Sequence, residues 1–192
     1  QIQTLLVAYR EKFDKDNFIK NLLLDNLLLV DIYNRAKKLH IEVGVRRVVF
    51  LVESHETVEG TVQEALKEFF SSEAGDFVTA VDEKNSIVVK ELSPEDTYTE
   101  VQKIADSMLD MLSSEVMLST RVSYGTIVNE IKEVSRSYKE AKMALEVGKI
   151  FFVDRRIVAY NALGIGRLIY QLPIPLCKMF IKEIFADVSP DD

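Results

Sequence analysis

The stretch DFVTAVDEKNSIVVKEL, residues 76–92, decides the fold that the sequence predicts. Phe77, Thr79 and Val81 stand at alternate positions before a polar break at 82–85, and the β-branched run at 87–89 follows the break. Two β-rich runs around a short polar loop are typical of a β-hairpin. Because functional residues often sit on loops that a rigid scaffold positions, the tip of this hairpin is either an active site or a plain turn.

Strands and helices alternate along the chain on both sides of the hairpin. The run RVVFLVE, residues 47–53, contains an unbroken apolar stretch, which is typical of a strand covered on both faces. Apolar residues three and four apart predict helices elsewhere. The further expected elements are a helix at 57–72, a helix at 93–112, a strand at 116–124, a helix at 127–145 and a strand at 157–160. This order, β-α-β-β-α-β-α-β, predicts an α/β (α+β) fold with a central mixed sheet and an internal hairpin.

Three residues mark expected helix ends. Ser93 is a preferred N-cap residue and Pro94 suits the first helical position, so a helix is predicted to begin there. Gly148 stands where a C′ glycine would end the helix before the last strand.

Helical extensions flank the middle of the chain. Residues 2–24 and 30–39 predict helices, and helical residues are expected again after Gly164. We therefore divide the chain into an N-terminal helical segment at 1–43, a central domain at 44–163 and a C-terminal helical connector at 164–192.

The first helix carries an apolar stripe made of Ile2, Leu6, Tyr9 and Phe13, spaced four, three and four residues apart. A helix that is apolar on one face must bury that face. The stripe therefore packs on its own domain or pairs with a second copy of the chain. We expect a homodimer, with these four residues as the candidate dimerisation site.

The composition excludes several classes of protein. A formal net charge of −7 over 192 residues argues against a nucleic-acid surface in this chain, because phosphate contacts need clustered Lys and Arg. No apolar run is long enough to cross a membrane, and no signal peptide is recognisable. Cys177 is the only cysteine, so we expect no internal disulfide and a cytoplasmic location. The two ends of the chain are expected to be cuts in a longer protein.

Three stretches carry a family resemblance. In order along the chain, they are NRAKKLHI at 34–41 with RVVFLVE at 47–53, then Tyr124-Gly125 with SYKEAKMAL at 137–145, and then residues 158–172. Together they resemble the entry helix and first strand, the last core helix, and the exit strand of the degenerate GGDEF-like domain of bacterial CdaR/PucR-type transcriptional regulators. The resemblance implies a nucleotide-cyclase-like fold, and a DNA-binding helix-turn-helix that would follow the present C-terminus.

The resemblance also implies what the hairpin tip would do in an active member of the wider family. In active diguanylate cyclases, G-G-[D/E]-E-F occupies this turn, where the glycines let the backbone approach a guanine nucleotide. An acid of the turn then joins an acid of the first strand to hold Mg²⁺. Here the turn is DEKN at 82–85, without either glycine and with the positive charge of Lys84. Glu53, Asp82 and Glu83 would therefore line only a relic of that cleft, and we expect no catalytic residues, no metal and no cofactor.

The expected function is a non-catalytic dimerisation and signal-relay module of a transcriptional regulator. It would contact DNA only through a module outside this chain, and it would not bind membranes. Two alternatives stay open, a module that senses a nucleotide or another small-molecule effector in the relic cleft, and a divergent nucleotide cyclase. The two histidines, His40 and His55, have no carboxylate or cysteine at ligand spacing, so they do not predict a metal site.

Overall fold

A five-stranded sheet forms the centre of the protein. The structure is a computed structural model that describes residues 2–54, 61–70, 75–116 and 120–185. The strands are β1 (Arg47–Ser54), β2 (Phe77–Ala80), β3 (Asn85–Glu91), β4 (Thr120–Tyr124) and β5 (Ile157–Ala159), in the spatial order β2-β3-β1-β4-β5. β1 is antiparallel to β3 and β4, β2 is antiparallel to β3, and β4 is parallel to β5. The predicted mixed sheet with an internal hairpin is confirmed.

Helices cover the sheet and extend from it at both ends. They are α1 (Ile2–Leu23), α2 (Leu29–Lys38), α3 (Thr61–Phe69), α4 (Tyr98–Met111), α5 (Val134–Phe151), α6 (Ile165–Gln171) and α7 (Ile174–Phe185). Residues 2–23 form one helix without a break. In the part of the chain that the structure describes, none of the helices combines the length and the apolar character needed to cross a membrane.

Two apolar cores lie on opposite faces of β1. Val49 and Leu51 point to one face, where they pack with the last turns of α1, with α2 and with α5. Val48, Phe50 and Val52 point to the other face, where they pack with α3 and α4. This division follows from the alternation of side chains along a strand, and it explains why the sequence of β1 is apolar without interruption.

The contact between Gly125 and Ser137 fixes α5 on the sheet. The buried Ser137 hydroxyl accepts a hydrogen bond from the Val49 N–H at 3.1 Å and donates one to the Thr126 carbonyl oxygen at 2.8 Å. A Cβ atom at position 125 would overlap the backbone carbonyl oxygen of Ser137, so only glycine fits. Tyr124-Gly125 and SYKEAKMAL at 137–145 are therefore in contact in the folded chain.

The predicted start of the fourth helix at Ser93 and Pro94 is wrong. Helix α4 begins at Tyr98 with Thr97 as N-cap, and Thr97 and Glu100 form a capping box. The Ser93 N–H instead donates to the Asp96 carboxylate at 2.8 Å, which closes a separate turn. A complete Thr-x-x-Glu box outcompetes the Ser-Pro signal because it satisfies two backbone donors reciprocally.

The predicted strand at 116–124 begins too early. Residues Leu112–Val116 form a π-helical turn that continues α4, β4 begins at Thr120, and residues 117–119 lie outside the described part of the chain. Short apolar runs do not distinguish a strand from a buried helix end.

The bounds predicted for the fifth helix are also wrong. Val128 is extended and pairs with Arg47 in an isolated antiparallel bridge, and α5 begins only at Val134. Gly148 lies inside α5, which continues to Phe151. A Cβ atom at 148 would come 2.7 Å from Cγ2 of Val158, so this glycine allows the close approach of β5 and does not end the helix.

Candidate functional site

The residues that the resemblance assigns to a relic cleft lie where β1 ends beside the hairpin turn. Glu53 is paired in register with Asn85, the first residue of β3. The Ser54 N–H donates to the Lys84 carbonyl oxygen at 3.0 Å, which ties the end of β1 to the turn. The structure thus places Glu53 next to the segment that contains Asp82 and Glu83.

The Asp82 carboxylate closes the turn. Its Oδ1 atom accepts hydrogen bonds from the N–H groups of Lys84 at 2.9 Å and Asn85 at 2.8 Å, and the Asn85 amide donates to both carboxylate oxygens at 3.0 Å. Burial by itself raises the pKa of Asp82, but the hydrogen bonds from Asn85 and Lys84 outweigh burial and lower the pKa below its ordinary value. The Asp82 carboxylate therefore already accepts hydrogen bonds from the backbone of its own turn. Glu83, next in the turn, is exposed.

Glu53 is buried and forms an ion pair with Lys149 of α5. Lys149 also donates to Glu146 at 3.1 Å, one turn earlier on the helix. Burial lowers the pKa of Lys149, but its hydrogen bonds to the carboxylates of Glu53 and Glu146 more than compensate and raise the pKa above its ordinary value. The ammonium group stays protonated and occupies a position beside Glu53 that a divalent cation would need.

A second cation, Arg121, lies on the other side of Glu53. Arg121 is paired in register with Glu53 across β1 and β4, on the sheet face opposite to that of Val122. Its Nη2 atom donates to the Val153 carbonyl oxygen at 2.9 Å. The buried carboxylate thus has a lysine above it and an arginine beside it.

This arrangement does not fit a divalent metal. Hard cations such as Mg²⁺ need several oxygen ligands, and a carboxylate that Lys149 already neutralises offers little attraction. Within residues 2–54, 61–70, 75–116 and 120–185, no three His, Cys, Asp or Glu side chains lie close enough together to hold a metal ion. Among the described residues, the ligand set that the resemblance associates with this turn in active cyclases is therefore not assembled.

Sequence reasoning missed Lys149 and Arg121. The signal for Lys149 was available, because Ala141, Leu145 and Lys149 follow one another at four-residue steps on the inward face of α5. A lysine at a core-facing position demands a buried carboxylate partner. The signal for Arg121 was hidden, because the start of β4 was misplaced and its register was unknown.

Of the two histidines, only His40 lies in the part of the chain that the structure describes. His40 is exposed at the end of α2 with a φ of 56°. There the His40 N–H donates to Lys37 and the Ile41 N–H to Ala36, the hydrogen-bond pattern of a Schellman motif. His55 lies outside the described residues.

The candidate dimerisation residues are all on the free half of α1. Ile2, Leu6, Tyr9 and Phe13 are 63–76 % exposed. The second half of the same helix is anchored in the core by Phe18, Ile19, Leu22 and Leu23, which are at most 2 % exposed. Of the two possibilities for the stripe, packing on its own domain is therefore not what the chain adopts.

Comparison with known proteins identifies the domain. No curated protein matches the chain. The family model described as the GGDEF-like domain matches residues 26–147, which include the sheet strands β1 to β4, the hairpin turn and most of α5. The chain therefore belongs to the GGDEF-like domain family.

Proposed function

We propose that this chain is a non-catalytic dimerisation and signal-relay module of a bacterial transcriptional regulator of the CdaR/PucR type. The observation that carries the proposal is helix α1, whose first half presents an uncovered apolar stripe while its second half is part of the domain core. A movement imposed on the free half is transmitted to the core because the anchored half cannot slip without exposing its four buried side chains.

Helix α5 provides a route from this input to the C-terminal helices. Lys139 of α5 forms an ion pair with Asp25, just after the end of α1. On the same helix, Val147 and Phe151 lie against Gly166 of α6. A shift of α1 against α5 would therefore reach α6 through one rigid helix, which is the kind of packed connection that carries coupling between distant sites.

The absence of catalysis is proposed on the chemistry of the relic cleft. Neither turn glycine is present, Asp82 is used to close the turn, and Lys149 neutralises Glu53. A cyclase reaction would need these groups to bind a metal–nucleotide complex and stabilise its negative charge. In the proposed regulator, two copies of the module would place two DNA-binding modules on symmetric half-sites.

Light scattering on the chain and on its variants tests the dimer. The Leu6→Asp plus Phe13→Asp variant places charges in the stripe, and the Gln3→Asp plus Arg10→Asp variant has the same spacing on the polar side of α1. We expect a dimer for the unmodified chain and for the control, and a monomer for the stripe variant. A monomeric unmodified chain at tens of micromolar would show that α1 does not pair.

A sensing role in the relic cleft is the second candidate, and one observation favours it. The Asn85 Oδ1 and Arg121 Nη1 atoms, on the strands flanking Glu53, are buried and have no hydrogen-bond partner within the described residues. A ligand that supplied a donor and an acceptor would satisfy both atoms. A ligand at about 100 times its Kd adds about 2.7 kcal/mol of stability, which a thermal-shift assay detects.

A further inference from the structure

A cavity of about 390 Å³ lies between the end of α3, the middle of α4 and the ends of the hairpin strands that are remote from the turn. Phe69 and Phe70 line it from α3, and Ile104 lines it from α4. The two phenyl rings pack edge-to-face with their centroids 4.9 Å apart, and the Phe69 side chain is 43 % exposed. Pockets that hold small molecules have volumes of about 300–1,000 Å³ and mostly apolar walls. The cavity therefore has the size and the lining of a small-molecule site.

An ion pair lies at the strand side of this cavity. Asp76 stands just before β2, Lys90 is near the end of β3, and both residues line the cavity. Lys90 Nζ donates to the two Asp76 carboxylate oxygens at 3.0 and 2.9 Å, and the Glu91 N–H donates to Oδ1 at 2.9 Å. The Lys90 side chain is 22 % exposed and the Asp76 side chain 3 % exposed, so Lys90 is the more accessible partner. An ammonium group has three N–H donors, so Lys90 keeps one donor that the Asp76 carboxylate does not take.

Helix α4 adds two further hydrogen-bond donors. Lys103 and Ser107 are one turn apart on the helix, and both line the cavity. The Lys103 side chain is 72 % exposed, and its Nζ atom is 3.9 Å from Oε1 of Glu100, which is beyond hydrogen-bond distance. Exposed ion pairs of this kind contribute little. The Lys103 ammonium group is therefore able to bind another acceptor.

The charges that line the cavity leave one positive charge in excess. Asp76 and Lys90 neutralise each other, and Lys103 remains. A ligand with a single negative charge would balance this excess, whereas a phosphate monoester, with close to two negative charges at pH 7, would exceed it. Ionised carboxylate oxygens only accept hydrogen bonds, and they bind most strongly to charged donors. The accessible polar groups of the cavity therefore suit a carboxylate.

We propose that this cavity binds a small monocarboxylate that carries an aromatic or branched apolar body. Its carboxylate would accept hydrogen bonds from Lys90 and Lys103, and its body would pack on Phe69, Phe70 and Ile104. An apolar acid of this kind combines the two properties of the lining, a mostly apolar wall and a few convergent donors.

The site is separate from the relic cleft. Lys90 shares a sheet face with Val88, which packs in the core on the side of α3 and α4. Glu53 forms its ion pair with Lys149 of α5, on the other face of the sheet. The proposed ligand site therefore goes beyond the proposed function and does not depend on the dimer.

Isothermal titration calorimetry with three related compounds tests the ligand class. Phenylacetate has the carboxylate and the apolar body, acetate lacks the body, and phenylacetamide lacks the charge. We expect a Kd of about 1 mM or tighter for phenylacetate and binding at least about tenfold weaker for the other two. No binding of phenylacetate at about ten times that concentration, or equal binding of phenylacetate and phenylacetamide, would overturn the proposal.

Substitutions of exposed residues then locate the site. Lys103→Gln removes the excess charge and should weaken phenylacetate binding by about tenfold, whereas Ser107→Ala should weaken it by about threefold. Lys67→Gln is the matched control, because Lys67 is an exposed lysine of α3 that does not line the cavity; it should leave the Kd within about twofold. All three side chains are exposed, so the circular-dichroism spectra should be unchanged. Equal Kd values for the Lys103→Gln and Lys67→Gln variants would show that the acid does not bind in this cavity.

Discussion

Replacing Lys149 by methionine should destabilise the domain, because it removes the cation that neutralises Glu53. The Glu53 side chain is 8 % exposed and the Lys149 side chain 32 % exposed. Removing one partner of a fully buried ion pair costs about 3–5 kcal/mol. Since the lysine is one-third accessible and water can relax around the carboxylate, we expect about 2 kcal/mol. That is a large part of the about 5–15 kcal/mol that stabilises an ordinary domain.

Urea unfolding monitored by circular dichroism measures this loss as a lower midpoint at an unchanged slope. Lys142→Met is the matched control, because Lys142 lies on the same helix and is exposed. It should change the free energy of unfolding by at most about 0.5 kcal/mol. Adding Glu53→Gln to Lys149→Met removes the charge that was left behind, and the double-mutant cycle should give a coupling of about 1–2 kcal/mol. Equal stability of the Lys149→Met and Lys142→Met variants would refute the internal neutralisation of Glu53.

Three further changes test other parts of the structure. Gly125→Ala should lower the free energy of unfolding by about 3 kcal/mol or prevent folding, because the new Cβ overlaps the Ser137 carbonyl oxygen; a thermal midpoint equal to that of the unmodified chain would show that α5 can move away. Asp82→Ala should cost about 1 kcal/mol at pH 7, because the Lys84 and Asn85 N–H groups lose their acceptor. Since the pKa of Asp82 is lowered in the folded state, its contribution is fully present above its ordinary pKa near 4 and is lost as the pH falls through the lowered value. The stability of the variant should therefore decline less than that of the unmodified chain between about pH 5 and pH 2, and parallel acid unfolding curves would contradict this assignment. His40→Gly should stabilise the domain by about 0.5–1 kcal/mol, because glycine adopts the φ of 56° at the end of α2 without strain, whereas His40→Val should destabilise it; the reverse order in urea unfolding would contradict the helix-end geometry.

The order of the elements could be predicted from the sequence because period and turn chemistry are local properties. The hairpin at 76–92 follows from alternation around a polar loop, and β1 follows from its apolar run. The start of α4 was predicted wrongly because two local signals for a helix start compete there. At the start of α4, the Thr97 capping box prevails over Ser93 and Pro94, and both signals are present in the sequence.

The prediction that Gly148 ends a helix was wrong for a different reason. A glycine that ends a helix and a glycine that admits a neighbouring strand are the same letter in the sequence. Only the packing of β5 on α5, seen in the proximity of position 148 to Val158, distinguishes the two roles.

The position of Glu53 beside the hairpin turn could be predicted from the sequence, but the partners of its carboxylate could not. The strand order of the fold brings Glu53 to the hairpin turn, as the resemblance implied. The ion pair between Glu53 and Lys149 joins residues 96 positions apart, and the pairing of Arg121 depends on the register of β4. Contacts of this kind are set by tertiary packing, which a periodic pattern does not specify.

We propose that the region beside Glu53 neither turns over nor binds GTP with Mg²⁺. The most direct measurement incubates the chain with GTP and Mg²⁺, follows product by chromatography, and records the melting temperature with and without both. The account predicts no product and an unchanged melting temperature. Formation of a cyclised product, or a raised melting temperature that Glu53→Ala abolishes, would contradict it.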